Sequence, residues 1–293
     1  MLSSRIRILT RGYILIADLG IILPTVEKIK ANEEKIESER LLLPPVEIVV
    51  VAHNPDEWFS EVLASFAVQN YPNIRVTVLA TNSIESIEKL AAEYLPQAEV
   101  HPVSSSHGVG RNFNTLLERQ EHPAFYLFCH HDVSLAPDAV RLMVEESFRS
   151  NAAVIGPKVV NWDRPNELLD VGYEMDKFGY PISRVEKGEL DQEQHDAVSE
   201  VFVVSTTATL VRADLFEALG GFDEVMGMIG EDVDLCWRSK IAGAKVMVVP
   251  LAIARHREEP GNYQISNSQM KNRERHRLRG LLSNYGMLHS VRV

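Results

Sequence analysis

An α/β domain with an open, mostly parallel sheet flanked by helices is the fold the sequence predicts, on three observations. From residue 46 onward, short β-branched runs alternate with amphipathic segments, the order that sets crossover helices between parallel strands. The first run, Val46–Ala52, is nearly all apolar, as a strand covered on both faces should be. The polar groups His53-Asn54, Thr81-Asn82-Ser83 and His130-His131-Asp132 then fall at strand carboxyl ends, where open sheets of this kind bind ligands.

The elements follow in order. Residues 1–44 read as an extension: short strands at 5–9 and 13–17 around a turn at Gly12, a polar helix over 26–40, and Pro44-Pro45 as a break. The main domain covers 45–260. Strands are expected at 46–52, 74–80, 98–103, 124–129 and 152–156. Helices are expected at 56–69, 83–94 (with Ser83 near its start), 108–119 and 137–150. Residues 157–200 are charged and irregular, with a loop at 187–196. A strand or strand pair resumes over 201–212, and a short helix at 214–219 is closed by Gly220-Gly221. An acidic group at 231–234 opens an amphipathic run to Gly243, and a last strand covers 246–250. Residues 261–293 form a basic C-terminal segment. Its expected helix over 271–293 carries Lys271, Arg273, Arg275, Arg277 and Arg279, with Leu278, Leu281, Leu282, Met287 and Leu288 on an apolar side.

Composition narrows the function classes. The chain has 293 residues, 45% hydrophobic and 24% charged, ordinary for one large globular domain or two small ones. A net charge of −11 argues against nucleic acid as a partner, since such binding rests on phosphate neutralisation. The two cysteines, Cys129 and Cys236, read as reduced residues rather than a disulfide framework. No segment reads as a transmembrane helix: the most apolar stretch, residues 8–23, is broken by Arg11 and Asp18. Nor does a small-residue cleavage site follow it, as a signal peptide requires.

The chemistry concentrates in Glu231, Asp232 and Asp234, three carboxylates within four residues. A helix N-terminus tolerates such crowding through its free N–H groups and dipole, and a carboxylate held there can serve as a general base. A solvated helix start is the plainer reading of the same residues. Asp132, after two histidines at the end of a buried strand, suits a divalent cation that keeps positions open for phosphate oxygens, or else caps the turn before Pro137. His256 lies just past the last strand. If the strand continues through His130 and His131, at most one of them faces a site.

Taken together these segments resemble a family-two glycosyltransferase of the GT-A fold. The resemblance rests on Ile48-Val-Val-Val-Ala-His-Asn54, Ser65-Phe-Ala-Val-Gln-Asn-Tyr-Pro72, Gly108-Val-Gly-Arg-Asn112 and Phe128-Cys-His-His-Asp-Val133. It continues through Gly220-Gly-Phe-Asp-Glu224, Gly230-Glu-Asp-Val-Asp-Leu-Cys-Trp-Arg238, Val249-Pro250 and His256. It implies Asp132 and His256 as ligands of Mg²⁺ or Mn²⁺, Asp232 as the base that deprotonates the acceptor, and Glu231 as its orienting partner. Asn54, His53, Ala80, Asn82, Arg111, Asn112 and His131 would lie on the donor side, and Asp234, Trp237 and Arg238 on the acceptor side. Two departures stand out: Ala80 occupies the place where the family usually has an acid for the nucleobase, and His130 and His131 replace common acids of the metal motif. More narrowly, Asp170-Val-Gly-Tyr173 and Glu189-Leu-Asp-Gln-Glu-Gln-His-Asp196 resemble the glycosyltransferase domains of large actinobacterial membrane proteins.

The expected activity is therefore inverting, metal-dependent transfer of a sugar from a nucleotide-diphosphate donor to a glycan or lipid-linked acceptor, in cell-envelope polysaccharide synthesis. The expected location is cytoplasmic, at the inner face of the plasma membrane. The basic C-terminal segment would lie on the membrane surface or lead into a transmembrane continuation after residue 293. Two alternatives use the same residues. One is a metal-dependent phosphoesterase centred on His53, His130, His131, Asp132 and His256; the other is a catalytically inactive sugar-binding GT-A module.

Overall fold

The chain divides into two units, residues 1–44 and 45–293. The structure is a computed structural model that describes residues 6–9, 13–16, 21–24, 43–54, 58–227, 229–257 and 267–285. In the first unit, β1 (Ile6–Leu9), β2 (Tyr13–Ile16) and β3 (Ile21–Pro24) form an antiparallel meander. The two expected strands are present and a third follows. The Gly12 turn and the polar helix over 26–40 lie outside the described residues.

The second unit alternates strand and helix as its pattern requires. It begins with β4 (Val46–Ala52), α1 (Phe59–Ala67), β5 (Ile74–Ala80), α2 (Ile84–Tyr94) and β6 (Glu99–Pro102). Next come α3 (Val109–Asn114), a 3₁₀ turn at Thr115–Glu118, β7 (Phe125–His130), β8 (Val133–Leu135), α4 (Ala139–Ser150) and β9 (Ala152–Asn161). The stretch expected to be irregular holds four short strands: β10 (Leu168–Asp170), β11 (Tyr173–Met175), β12 (Pro181–Ser183) and β13 (Ser199–Glu200). The chain closes with β14 (Ala208–Arg212), α5 (Ala213–Ala218), α6 (Glu231–Ile241), β15 (Lys245–His256) and α7 (Asn267–Asn284).

The main sheet runs β13-β15-β9-β14-β7-β4-β5-β6, with β10 beside β9 and β8 beside β15. Six of the eight strands along this path point the same way; β14 and β13 oppose them. Side chains of β4 alternate between two cores. Val46, Ile48, Val50 and Ala52 join one cluster with α1 and α4, while Val49 and Val51 join the other with Phe113, Phe128 and Phe222. Every residue of β4 is buried, and each fully buried Val or Ile contributes about 1.5–3 kcal/mol. Its one charge, Glu47, is satisfied by the Thr77 hydroxyl at 2.7 Å and Arg119 at 2.5 Å.

Three departures from expectation have local causes. Strands β9 and β15 are longer than the pattern suggests because they pair in parallel to Asn161 and His256. A register shift between Val249 and Ile253 absorbs Pro250, which has no N–H to donate. Residues 201–207 do not continue β14: the Val201 and Val203 N–H groups donate to the Val246 and Tyr173 carbonyls instead, and the Ser205 and Thr206 hydroxyls reach Asp170 and Glu231. Ser83 stands at the start of α2 with φ +51°, and its hydroxyl donates to Asn54 Oδ1 at 3.3 Å and accepts no N–H of the helix. The C-terminal helix belongs to the second unit: Leu281 is buried and Tyr285 packs edge-on to Trp237 at 4.8 Å.

Gly108 and Gly110 let α3 press against the loop that leads into α6. A Cβ on Gly108 would sit 2.4 Å from Gly227 Cα, and one on Gly110 would sit 2.9 Å from Phe222 Cβ. Gly108→Ala is therefore expected to lower stability by about 1–3 kcal/mol, because backbone cannot yield as a side-chain tip does. Gly280→Ala, in a helix with open space around it, is expected to raise stability by up to about 1 kcal/mol. Urea midpoints of the two variants check the pair.

Candidate active site

Three metal-ligand types converge at the carboxyl end of the sheet. Strand β7 ends on His130, and after a tight turn β8 pairs antiparallel with the end of β15, Val133 opposite His256. The Arg257 N–H donates to the Asp132 carbonyl at 3.0 Å and locks this turn. Residues 124 positions apart are thus brought together: His256 Nε2 is 3.3 Å from Asp132 Oδ2, and the His130 and His256 rings are 6.0 Å apart. Ligand atoms of His130, Asp132 and His256 all lie within 4.8 Å of one another. Loss of hydration, then the nearby His256, lowers the His130 pKa to about 4, so its ring is neutral and able to ligate. Burial would raise the Asp132 carboxyl, but the His256 hydrogen bond and the histidine charges outweigh it and bring it to about 2. Asp132 Oδ1 is buried with no partner among the described residues. Two imidazoles around an ionised carboxylate with an orphaned oxygen are a donor set that fits a divalent cation.

The acids of α6 lie beside this group, across one tripeptide. Ser205, Thr206 and Thr207 precede β14, and each holds a different part of the site. Ser205 Oγ donates to Asp170 Oδ2 at 2.7 Å. Thr206 Oγ1 donates to Glu231 Oε1 at 3.2 Å. The Thr207 carbonyl accepts the His130 backbone N–H at 3.1 Å, one step beyond the β14–β7 ladder. Gly230, at φ +93°, turns the chain into α6 so that Glu231 and Asp232 stand in its first turn. Burial first, and the neighbouring Asp232 charge second, raise the Glu231 carboxyl above its ordinary value. Burial and then the Asp170 charge raise Asp232, against a 2.8 Å hydrogen bond from the Val233 N–H. Glu231 Oε2 has no partner among the described residues. Both acids face a cavity of about 310 Å³ whose other walls include Tyr173, Tyr180, Trp237 and Arg273.

Other expected residues divide by position. His53 and Asn54 follow β4, whose Val51 pairs with His130, so they share the sheet edge with the metal-ligand group. His53 Nδ1 lies 2.9 Å from the Thr81 hydroxyl and 3.5 Å from Asn82 Nδ2, making a polar cluster over the ends of β4 and β5. Asn112 is buried and donates to the Ser104 carbonyl at 3.3 Å. Arg111 is exposed beside Glu224 at 3.5 Å. Ala80, at the end of β5, is fully buried, with its side chain packed in the core on one sheet face. His131 stands outside the group formed by His130, Asp132 and His256. Trp237 lines the cavity, and so does Asp234. Arg238 is spent on structure. Its Nε donates to Asp234 at 2.6 Å, and its other nitrogens donate to the Leu219 and Gly221 carbonyls at 2.9 and 2.8 Å.

Sequence reasoning gave no site role to buried Asp170, Tyr173 or Arg273, which the structure sets at or beside the cavity, and placed His130 at a metal centre only in the phosphoesterase alternative. His130 was one of two adjacent histidines, and only the extension of β7 through it decides which faces the site. The four histidines and Asp132 of the phosphoesterase alternative do not all share one centre: among the described residues the group is His130, Asp132 and His256, and His53 Nδ1 meets the Thr81 hydroxyl. The C-terminal helix turns much of its charge inward. Arg277 stacks over Tyr180 at 4.2 Å, Arg279 pairs with Asp223 at 2.6 Å, and His276 Nδ1 meets the Ile229 carbonyl at 2.6 Å.

A predominantly parallel sheet carrying a His-Asp-His group and an acidic helix start at one edge defines a glycosyltransferase of the GT-A fold. The chain belongs to the family described as Glycosyltransferase like family 2, whose profile matches residues 44–281. It is 40% identical over 82 residues to a pre-mycofactocin glycosyltransferase of Mycobacterium tuberculosis, covering 26% of this chain and 17% of that protein. It is 23% identical over 210 residues to the O-antigen biosynthesis protein RfbC of Myxococcus xanthus, covering 70% of this chain and 16% of that protein. The chain therefore spans about a sixth of the length of these relatives. Among solved structures its fold is similar to GalNAc-T7 with UDP, GalNAc and Mn²⁺ (TM-score 0.63, 12% identity, 80% of this chain and 47% of that one). It is also similar to S. aureus TarS 1–349 (TM-score 0.58, 16% identity, 84% and 68%).

Two outcomes follow from this geometry. Because the folded-state pKa values of Glu231 and Asp232 are raised, the folded protein holds protons that the unfolded chain has released. Stability then falls as pH rises from the ordinary carboxylate range toward neutrality. Glu231→Gln removes one such group, so its melting temperature relative to the unaltered protein should climb between about pH 5 and about pH 8. Arg238→Met should cost about 3 kcal/mol at any pH in that range, since it strands the buried Asp234 and two carbonyls. Thermal melts across pH check both.

Proposed function

We propose that this protein is an inverting, divalent-metal-dependent glycosyltransferase that moves a sugar from a nucleotide-diphosphate donor to a hydroxyl of a glycan or lipid-linked acceptor in cell-envelope polysaccharide synthesis. The observation that carries the reading is the Ser205-Thr206-Thr207 link, which joins the His130–Asp132–His256 group to Glu231 and the base helix at one sheet edge. Mg²⁺ or Mn²⁺ held by those three side chains would neutralise charge on the departing diphosphate. His53, Asn54 and Asn82 offer hydrogen-bonding groups for the nucleotide, with no carboxylate at Ala80 to select the base. Asp232, partly open to the cavity and more basic than an ordinary aspartate, takes the acceptor hydroxyl proton. As that O–H bond breaks, the oxygen bonds to the anomeric carbon from the face opposite the diphosphate, and the bond to the diphosphate breaks with its electron pair. A single displacement of this kind inverts the centre. Protonated Glu231, with its unpartnered oxygen, orients the acceptor by hydrogen bonding. An intact Glu231-Asp232 pair favours this over an inactive sugar-binding module.

We place the protein at the cytoplasmic face of a membrane. No helix among the described residues is long and apolar enough to cross one. The support is the outer side of α7, where Met270, Leu278 and Leu282 are exposed among Lys271 and Arg275. Basic residues near an anionic leaflet are worth about 1 kcal/mol each. Salt-sensitive co-sedimentation with phosphatidylglycerol vesicles, reduced by the double change Leu278→Ser and Leu282→Ser, is expected. Protein that stays in the supernatant at low salt sinks this placement.

The transfer reading is tested by thermal shift against a panel of nucleotide sugars with and without Mn²⁺, because a ligand of the native state raises its melting temperature. One donor should stabilise the protein only with Mn²⁺, and Asp132→Ala should abolish that dependence. Asp232→Asn should keep the shift while turnover falls by about 10²–10⁴-fold. Near-normal turnover in Asp232→Asn would assign the base elsewhere, and an absent shift across the whole panel would overturn the donor class.

A further inference from the structure

Asp170 is a buried carboxylate beside the cavity that the transfer chemistry leaves without a task. It ends β10, is 7% exposed, and is held on two sides: Ser205 Oγ donates to Oδ2 at 2.7 Å and the Gly172 N–H donates to Oδ1 at 2.6 Å. Gly172 makes the turn possible. Its φ is +84°, and a Cβ there would sit 2.8 Å from Val201 Cγ1. The next residue, Tyr173, begins β11 and puts its ring in the cavity wall, with the phenol in the field of Asp170. Ser205 lines the same cavity, and its neighbour Thr206 holds Glu231. Asp170 therefore stands behind the wall that an acceptor meets, with Glu231 and Asp232 in front.

A capping role alone does not account for a carboxylate here. The amide oxygen of an asparagine would accept one of these hydrogen bonds without bringing a charge into a water-poor site. We propose that Asp170 is the positioning residue of the proton-transfer step: through Ser205 and Tyr173 it fixes the acceptor-side wall, and its carboxylate adds a second negative charge behind Asp232. The inference rests on Asp232 being the base. A hydroxyl proton leaves for Asp232 more readily when that carboxylate sits in a negative field, and less readily when a cation dominates it. The groups around Asp232 are Glu231 beside it, Asp170 from β10, Tyr173 from β11, His130 from β7, and Arg273 and His276 from α7. Burial raises the Asp170 carboxyl, and the hydrogen bonds from Ser205 and Gly172 work against that; in its ionised form Asp170 opposes Arg273 here, its charge raising the Asp232 carboxyl while that of Arg273 lowers it. Tyr173 feels the Asp170 charge first of all, which keeps its phenol protonated and able to hydrogen-bond an acceptor hydroxyl.

The test is ¹³C NMR titration of aspartate carboxyls in the full chain, with the Asp232 resonance assigned by its loss in Asp232→Asn. In Asp170→Asn the Asp232 midpoint should fall by roughly half a pH unit or more. In Ser205→Ala, which removes a hydrogen bond and leaves the charge, it should stay within roughly 0.2 of the unaltered protein. Tyr173→Phe keeps the ring and covers the case in which Asp170→Asn does not fold. With the donor picked out by the thermal-shift panel, its turnover by hydrolysis should fall about tenfold or more, while the Mn²⁺-dependent donor shift is retained. An Asp232 midpoint that is unmoved or rises in Asp170→Asn overturns the inference, as does normal turnover in Tyr173→Phe. The assignment of Asp232 as the base fails separately, by full turnover in Asp232→Asn, and the donor class by an absent shift across the nucleotide-sugar panel; the midpoint measurement depends on neither.

Discussion

The antiparallel pairing of Val133–Leu135 with the end of β15 is the contact on which the site depends. Without it, Asp132 is a loop residue and His256 the tail of an edge strand. With it, two side chains 124 positions apart meet at 3.3 Å and His130 completes the group from β7. The pairing is possible because β15 runs past the break at Pro250 and keeps its parallel register with β9 to His256 and Asn161. Three ladder pairs hold the turn. Their hydrogen bonds are individually modest, but they lie over Val133 and Leu135, which are anchored in the core with Met143 and Ala254.

The second organising constraint is electrostatic. Glu231, Asp232 and Asp170 share a small volume from which water is largely removed, and desolvation opposes ionisation of all three. The fold tolerates them by spreading the compensation over the helix start of α6, the Val233 N–H and the hydroxyls of Ser205 and Thr206. The metal-ligand group shows the opposite balance: Asp132 is also buried, yet adjacent histidines hold it ionised. Carboxylates of one chemical type, at one sheet edge, are thereby set to different tasks by what stands next to them.

Much of this architecture was legible from the residues because it is local. Strand β4 announces itself by its β-branched run, the helices by their period, and the acidic start of α6 by three carboxylates behind a glycine. The spacing of Asp132 and His256 from strand ends placed both at the same edge. What stayed hidden depends on pairing between distant segments. Nothing in residues 201–207 says that their hydroxyls bond to site acids rather than continuing β14. The turn at Gly172 makes Asp170 part of the site through a contact with residue 205. The choice between His130 and His131 hangs on one more residue of strand. The basic helix at the C-terminus was visible, but its direction was not, since Arg277 and Arg279 find partners on surfaces far away in sequence.

The late arrival of β15 has a consequence for how the protein comes into being. Synthesis proceeds at about 5–20 residues per second, so the ribosome adds His256 between about 6 and 25 s after Asp132. During that interval β9 lacks its parallel neighbour β15, and the Asp132 turn has no strand to lock it. The nascent chain already carries β4, β5 and β7, and late in the interval α6 as well, yet it lacks a complete His130–Asp132–His256 group until β15 is made. Those three side chains can meet only when β15 closes against β9 and β8, so the last strand of the sheet and the group at its edge are completed together.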